Sequence, residues 1–91
     1  MSNPATIRNN RPRLSSLYRM QFEASQGCWV LLYPEGMVKL NSSAAEILRR
    51  CDGESNVEQL IATLERDYAH PDLSDQVHHF LNDARGHGWI V

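Results

Sequence analysis

His79, Asp83 and His87 recur at intervals of four near the C-terminal end of the chain, a spacing that places all three on one face of a helix. Imidazole and carboxylate are metal-ligand types. The two histidines, however, stand two turns apart with Asp83 between them, so the trio reads as a solvated helix face. Cys28 and Cys51 form no CxxC or CxxxC spacing, and a zinc site needs four ligands. They read as two buried small hydrophobes rather than as a disulfide or a metal site. Ser42 and Ser43 are explained by helix capping, and no GxSxG elbow surrounds either. Gly27, Gly36 and Gly53 are isolated turn glycines, not a phosphate-cradling loop. Glu65 and Asp67 fall on the polar side of an amphipathic helix. A chain of 91 residues is also too small to enclose a pocket of the usual ligand size and still bury a core. These side chains predict no catalytic residue, no cofactor and no metal.

The elements that carry them are legible in the hydrophobic pattern. Residues 1–13, with Asn3, Pro4, Asn9, Asn10 and Pro12, read as a flexible arm, and 14–91 as a single domain. From Leu17 to Ala24 the residues alternate, with Tyr18, Met20 and Phe22 on one face and Arg19, Gln21 and Glu23 on the other, the period of a half-buried antiparallel strand. Cys28 to Tyr33 is apolar on both faces and reads as a central strand. Pro34-Glu35-Gly36 follows as a turn, with Gly36 expected at positive φ. Met37 to Leu40 is a third, short strand, so the meander leaves its first and third strands as edges.

Three helices follow. Asn41, Ser42 or Ser43 caps the first, and Ala44, Ile47, Leu48 and Cys51 form its apolar stripe up to Gly53. Ser55 and Glu58 read as the capping box of the second, with Val57, Leu60, Ile61, Leu64 and Tyr68 on its buried face. Pro71 bars its continuation. The third starts near Ser74 with Leu73, Val77, Phe80, Leu81 and Ala84 inward, and ends near Gly86 or Gly88. Trp89-Ile90-Val91 is an apolar terminus that must dock. The fold class is α+β and winged-helix-like: a three-stranded antiparallel β-meander followed by three α-helices.

Composition narrows the function. Nine Lys plus Arg stand against eleven Asp plus Glu, a formal charge of −2, whereas nucleic-acid binders usually carry a basic excess. A winged-helix DNA-binding regulator is the alternative reading. Yet the second helix would present Glu58, Glu65 and Asp67 against Arg66 alone, which repels phosphate. No run of 18 or more apolar residues crosses a membrane, and the N-terminus has no signal-peptide h-region, so a cytoplasmic location is expected. What remains is the short apolar edge at 37–40. It either accepts an extended peptide or is covered by the protein's own arm or helix, and composition favours neither.

Several segments resemble the coenzyme PQQ synthesis protein D family. They are RPRL at 11–14, YRMQFE at 18–23, QGCWVLLYPEGMVKLN at 26–41, SAAEIL at 43–48, CDG at 51–53 and GWI at 88–90. The resemblance implies a non-catalytic peptide chaperone of pyrroloquinoline quinone biosynthesis, similar to RiPP recognition elements. Its implied partners are the ribosomal precursor peptide and the radical SAM enzyme that cross-links that peptide's Glu and Tyr. In that class the peptide adds as a strand to the third strand and lies in a cleft beside the third helix. By position this puts Met37, Val38, Lys39 and Leu40 at the pairing edge and Val77, His78, Leu81 and Arg85 on the cleft wall; Val77 and Leu81 fit the core equally well. Self-pairing in a homodimer, or exchange of the N-terminal strands between two chains, would also protect such an edge.

Overall fold

A computed structural model describes residues 11–91. The chain folds as β1 (Arg19–Glu23), β2 (Cys28–Tyr33), β3 (Gly36–Lys39), α1 (Ser42–Arg49), α2 (Val57–Asp67) and α3 (Ser74–Gly86). The sheet is an antiparallel meander in the order β1-β2-β3. Met20 lies opposite Leu31, and Leu31 opposite Val38, so one row of side chains runs across the sheet toward the helices. Against it pack Ala44, Ala45, Ile47 and Leu48 of α1, Leu60, Ile61 and Leu64 of α2, and Val77, Leu81 and Ala84 of α3. The three helical stripes expected from the sequence are the core, and β2 is covered on both faces, with Val30 and Leu31 fully buried.

Local chemistry sets the helix boundaries. Asn41 caps α1, its Oδ1 accepting the Ala44 N–H at 2.8 Å. The box that opens α2 is Asn56 with Gln59, not Ser55 with Glu58: Asn56 Oδ1 accepts from the Gln59 N–H, and Gln59 Oε1 accepts from the Asn56 N–H. The register moves by one because the Ser55 N–H is engaged by Asp52 Oδ1. No side chain of its own caps α3. Glu65 reaches from α2 to accept the Leu73 N–H at 2.9 Å. Tyr68 is not on the buried face of α2 but at its C-cap, 52% exposed, with the Arg50 guanidinium 5.9 Å from its ring centre.

Gly36 does not take a positive φ. Pro34 and Glu35 form the turn, and Gly36 is the first residue of β3, paired with Tyr33, whose hydroxyl lies 3.4 Å from where a Cβ would stand. Gly53 and Gly88 do adopt positive φ, at 80° and 78°.

The C-terminal apolar residues dock on the segment before β1. Arg13 and Val91 exchange backbone hydrogen bonds, and the Ser15 N–H donates to the Trp89 carbonyl at 2.8 Å. Pro12 is fully buried, and its carbonyl accepts from the Gly53 N–H. Residues 11–13, read from the sequence as the end of an arm, are therefore anchored by the backbone of 52–53 and 91. The rest of the arm lies outside the described residues. Among the described residues, no helix is long and apolar enough to cross a membrane.

Candidate functional site: a strand edge above an aromatic groove

Among the described residues β3 has one neighbour in its sheet, β2, and no strand pairs with its other side. Hydrogen bonding in an antiparallel ladder alternates between residues that exchange both bonds with the partner and residues whose groups point away. The Leu40 N–H donates to the Trp29 carbonyl at 2.9 Å, which fixes the phase. Counting back along the register, Val38 with Leu31 and Gly36 with Tyr33 are the bonded pairs. The N–H and C=O groups of Met37 and Lys39 consequently point away from β2. Of the four residues placed at the edge from the sequence, two turn both backbone groups outward. Val38, and Leu40 through its N–H, bond to β2, and both send their side chains toward the helices, Leu40 into the core.

Beside this edge lies a groove with a cavity of about 230 Å³. Lys39, Leu40 and Asn41 form one wall, Ala44 of α1 contributes the end, and Phe80, Asp83 and His87 of α3 with Trp89 form the other. The aromatic groups brace one another: Phe80 and Trp89 have ring centres 6.5 Å apart, and His87 stacks on Trp89 at 4.8 Å. The His79–Asp83–His87 face is thus divided. His79 Nε2 lies 3.6 Å from Asp83 Oδ2, while His87 turns to the indole. Among the described residues no three His, Cys, Asp or Glu side chains gather to hold a metal.

The expected cleft wall is elsewhere on α3. Val77 and Leu81 are each 2% exposed and belong to the core, His78 is exposed, and Arg85 is half-buried. None of the four lines the groove beside β3. The α3 residues that do line it, Phe80, Asp83 and His87, are spaced i, i+3 and i+7. Sequence reading assigned Phe80 to the core and the other two to solvent, because the stripe adjoining the core and the stripe facing a groove share a boundary. The signal that could have found them is the aromatic Phe80 at that boundary.

The cysteines differ from each other. Both thiols are free; Cys51 is buried and its pKa is pushed up to about 12, chiefly by desolvation, whereas Cys28 is only half-buried at the start of β2. Cys51 donates its S–H toward the Ile47 carbonyl at 3.4 Å, as a packing residue does.

The model of the family "Coenzyme PQQ synthesis protein D (PqqD)" matches residues 28–90. The chain belongs to the coenzyme PQQ synthesis protein D family. Its relatives include the "PqqA binding protein" of Methylococcus capsulatus, 46% identical over 77 residues, covering 85% of this chain and 83% of the relative. Another is the "PqqA binding protein" of Azotobacter vinelandii, 44% identical over 86 residues, covering 93% and 94%. The fold is similar to the solution structure of the PqqD part of Methylobacterium extorquens PqqCD, described as a functional, stand-alone RiPP recognition element. That match has a TM-score of 0.70 at 26% identity and covers 88% of this chain and 87% of that one. The family, the β-meander and the three helices are those expected from the sequence.

Proposed function

We propose that this chain is a non-catalytic, cytoplasmic chaperone that holds the ribosomal precursor peptide of pyrroloquinoline quinone synthesis as a fourth strand on β3. It then presents the peptide to the radical SAM enzyme that cross-links its Glu and Tyr. The observation that carries this reading is the outward direction of the Met37 and Lys39 backbone groups, with Lys39 at the rim of an aromatic groove. Relatives sharing more than two-fifths of the sequence are named for binding the peptide PqqA, which supports the same reading.

The energetics suit reversible capture. Two residues with both groups free offer four hydrogen bonds at about 0.5–1.5 kcal/mol net each. A side chain buried in the groove adds about 1.5–3 kcal/mol. These gains, about 3.5–9 kcal/mol before the cost of ordering the peptide is subtracted, leave a complex weak enough to release its peptide. A DNA-binding role is not favoured: the exposed surface of α2 carries Glu58 and Asp67 beside Arg66, and Arg66 itself lies 3.4 Å from Asp67.

Isotope-labelled protein titrated with precursor tests the proposal. The largest amide shifts are expected at Met37 and Lys39, with side-chain shifts at Phe80 and His87. Unmoved residues 36–40 would refute it. If two chains pair through β3 in a homodimer, the peptide competes for the same groups, and sedimentation should show it dissociating the pair.

A further inference from the structure

If a peptide pairs with β3, the pleat dictates which of its side chains enter the groove. Residues bonded to Met37 and Lys39 turn their side chains to the sheet face away from the helices. Those opposite Val38 and Leu40, two positions apart, turn toward α3. The groove they meet is apolar along Leu40, Ala44, Phe80 and Trp89 and carries a single carboxylate, that of Asp83. Of the other titratable residues bordering it, His87 stacks on Trp89, and Lys39, alternating with Val38 and Leu40, starts its side chain from the far face of the sheet.

Asp83 differs from the carboxylates around the helices that are already committed. Glu46 is held by Arg49 and Arg50, Asp67 by Arg50 and Arg66, Glu65 by the Leu73 N–H, and Asp52 by the Glu54 and Ser55 N–H groups. Among the described residues Asp83 faces only His79 at 3.6 Å, a contact that is ionic only when the imidazole is protonated. It also sits in the last turns of α3, where the helix dipole adds negative potential and favours a nearby cation. Phe80 and Trp89 beside it supply aromatic surface on which a Lys or Arg stem packs.

Resting on strand addition at β3, we propose that Asp83 is a specificity-determining residue. The groove selects a peptide whose two inward side chains, at alternate positions, are one apolar and one Lys or Arg. The order of the two along the peptide follows from which lies nearer Asp83.

Calorimetric titration of full-length chain with precursor peptide tests this. Each Lys and Arg of the precursor is replaced in turn by Gln, and each peptide is titrated against the native chain, D83N, D83K and Lys39→Pro. One Lys or Arg→Gln change should weaken binding to the native chain by about five-fold, the scale of a partly exposed ion pair. It should have no further effect on D83N, and placing Glu at that position should restore binding to D83K. Equal losses on the native chain and D83N, or no sensitive cation, would overturn the inference. The Lys39→Pro arm separates the two readings. Binding lost with Lys39→Pro but indifferent to Asp83 refutes the charge preference alone, whereas binding indifferent to Lys39→Pro refutes strand addition.

Discussion

Among the described residues two hollows stand out, and the larger is the less suited to a peptide. One, with a cavity of about 360 Å³, lies between α1, the end of α2 and the start of α3. Ile47, Leu64, Leu73 and Val77 form its apolar floor, and Ser42, Glu46, Tyr68 and His70 stand among its polar lining. The other is the groove beside β3, about 230 Å³. Around the larger hollow much of the polar chemistry is already satisfied. Glu46 accepts from Arg49 and Arg50, Arg50 reaches Asp67, and the loop between α2 and α3 is tied back to Glu65 through His70 and Leu73. That loop holds Ala69 and Asp72 at positive φ, 48° and 61°, a conformation that these bonds enforce. The smaller groove adjoins backbone donors and acceptors that point away from β2 and are paired by no other described strand. Volume therefore says little about recognition of an extended chain. Unspent main-chain hydrogen bonds say more.

The contrast can be broken by experiment. Its largest expected effect is on stability: Leu81→Ala, in the core behind the groove wall, should cost about 2–5 kcal/mol in urea unfolding. The molecules that remain folded should bind precursor with near-native affinity; a large affinity loss would make Leu81 part of the wall after all. Next comes Lys39→Pro, which removes an outward N–H and should weaken precursor binding about 100-fold by calorimetry. Tyr68→Ala at the larger hollow should change it less than about two-fold. Were those two results reversed, the larger hollow would be the peptide site. Phe80→Ala should cost about ten-fold in affinity through lost apolar contact, with a smaller change in unfolding midpoint than Leu81→Ala.

The smallest effect concerns acid stability at the larger hollow. Hydrogen bonds from Arg50 are the chief cause that holds the carboxyls of Glu46 and Asp67 below the ordinary carboxylate range. A depressed folded pKa contributes stability that is complete above the unfolded value and disappears as pH falls through the folded one. Thermal unfolding of Glu46→Gln between pH 7 and pH 2 should therefore show a slightly lower midpoint at neutral pH and a shallower acid decline. Precursor affinity at pH 7 should not move.

Much of this was legible in one dimension. The alternation Tyr18, Met20, Phe22 and the doubly apolar Cys28–Tyr33 run specified a sheet, because a strand's side chains alternate whatever lies beyond it. The stripes Ala44, Ile47, Leu48 and Leu60, Ile61, Leu64 specified helices with one buried side. Asn41 and Asn56 announce helix starts through side-chain chemistry that reaches only three residues, although Ser55 and Glu58 offer the same signal one residue earlier. Tyr68 was misassigned because periodicity continues past the point where a helix ends.

The sequence by itself determined the elements, their order and the existence of a short third strand, since period, capping and turn chemistry are local. It could not determine which two of residues 37–40 turn their backbone groups away from β2, because that phase depends on the register between β2 and β3, set by pairing across the turn. Nor could it separate Phe80, Asp83 and His87 from Val77 and Leu81. All five lie on neighbouring stripes of one helix, and only the angle at which α3 packs against β3 decides which stripe faces a groove and which is sealed in the core.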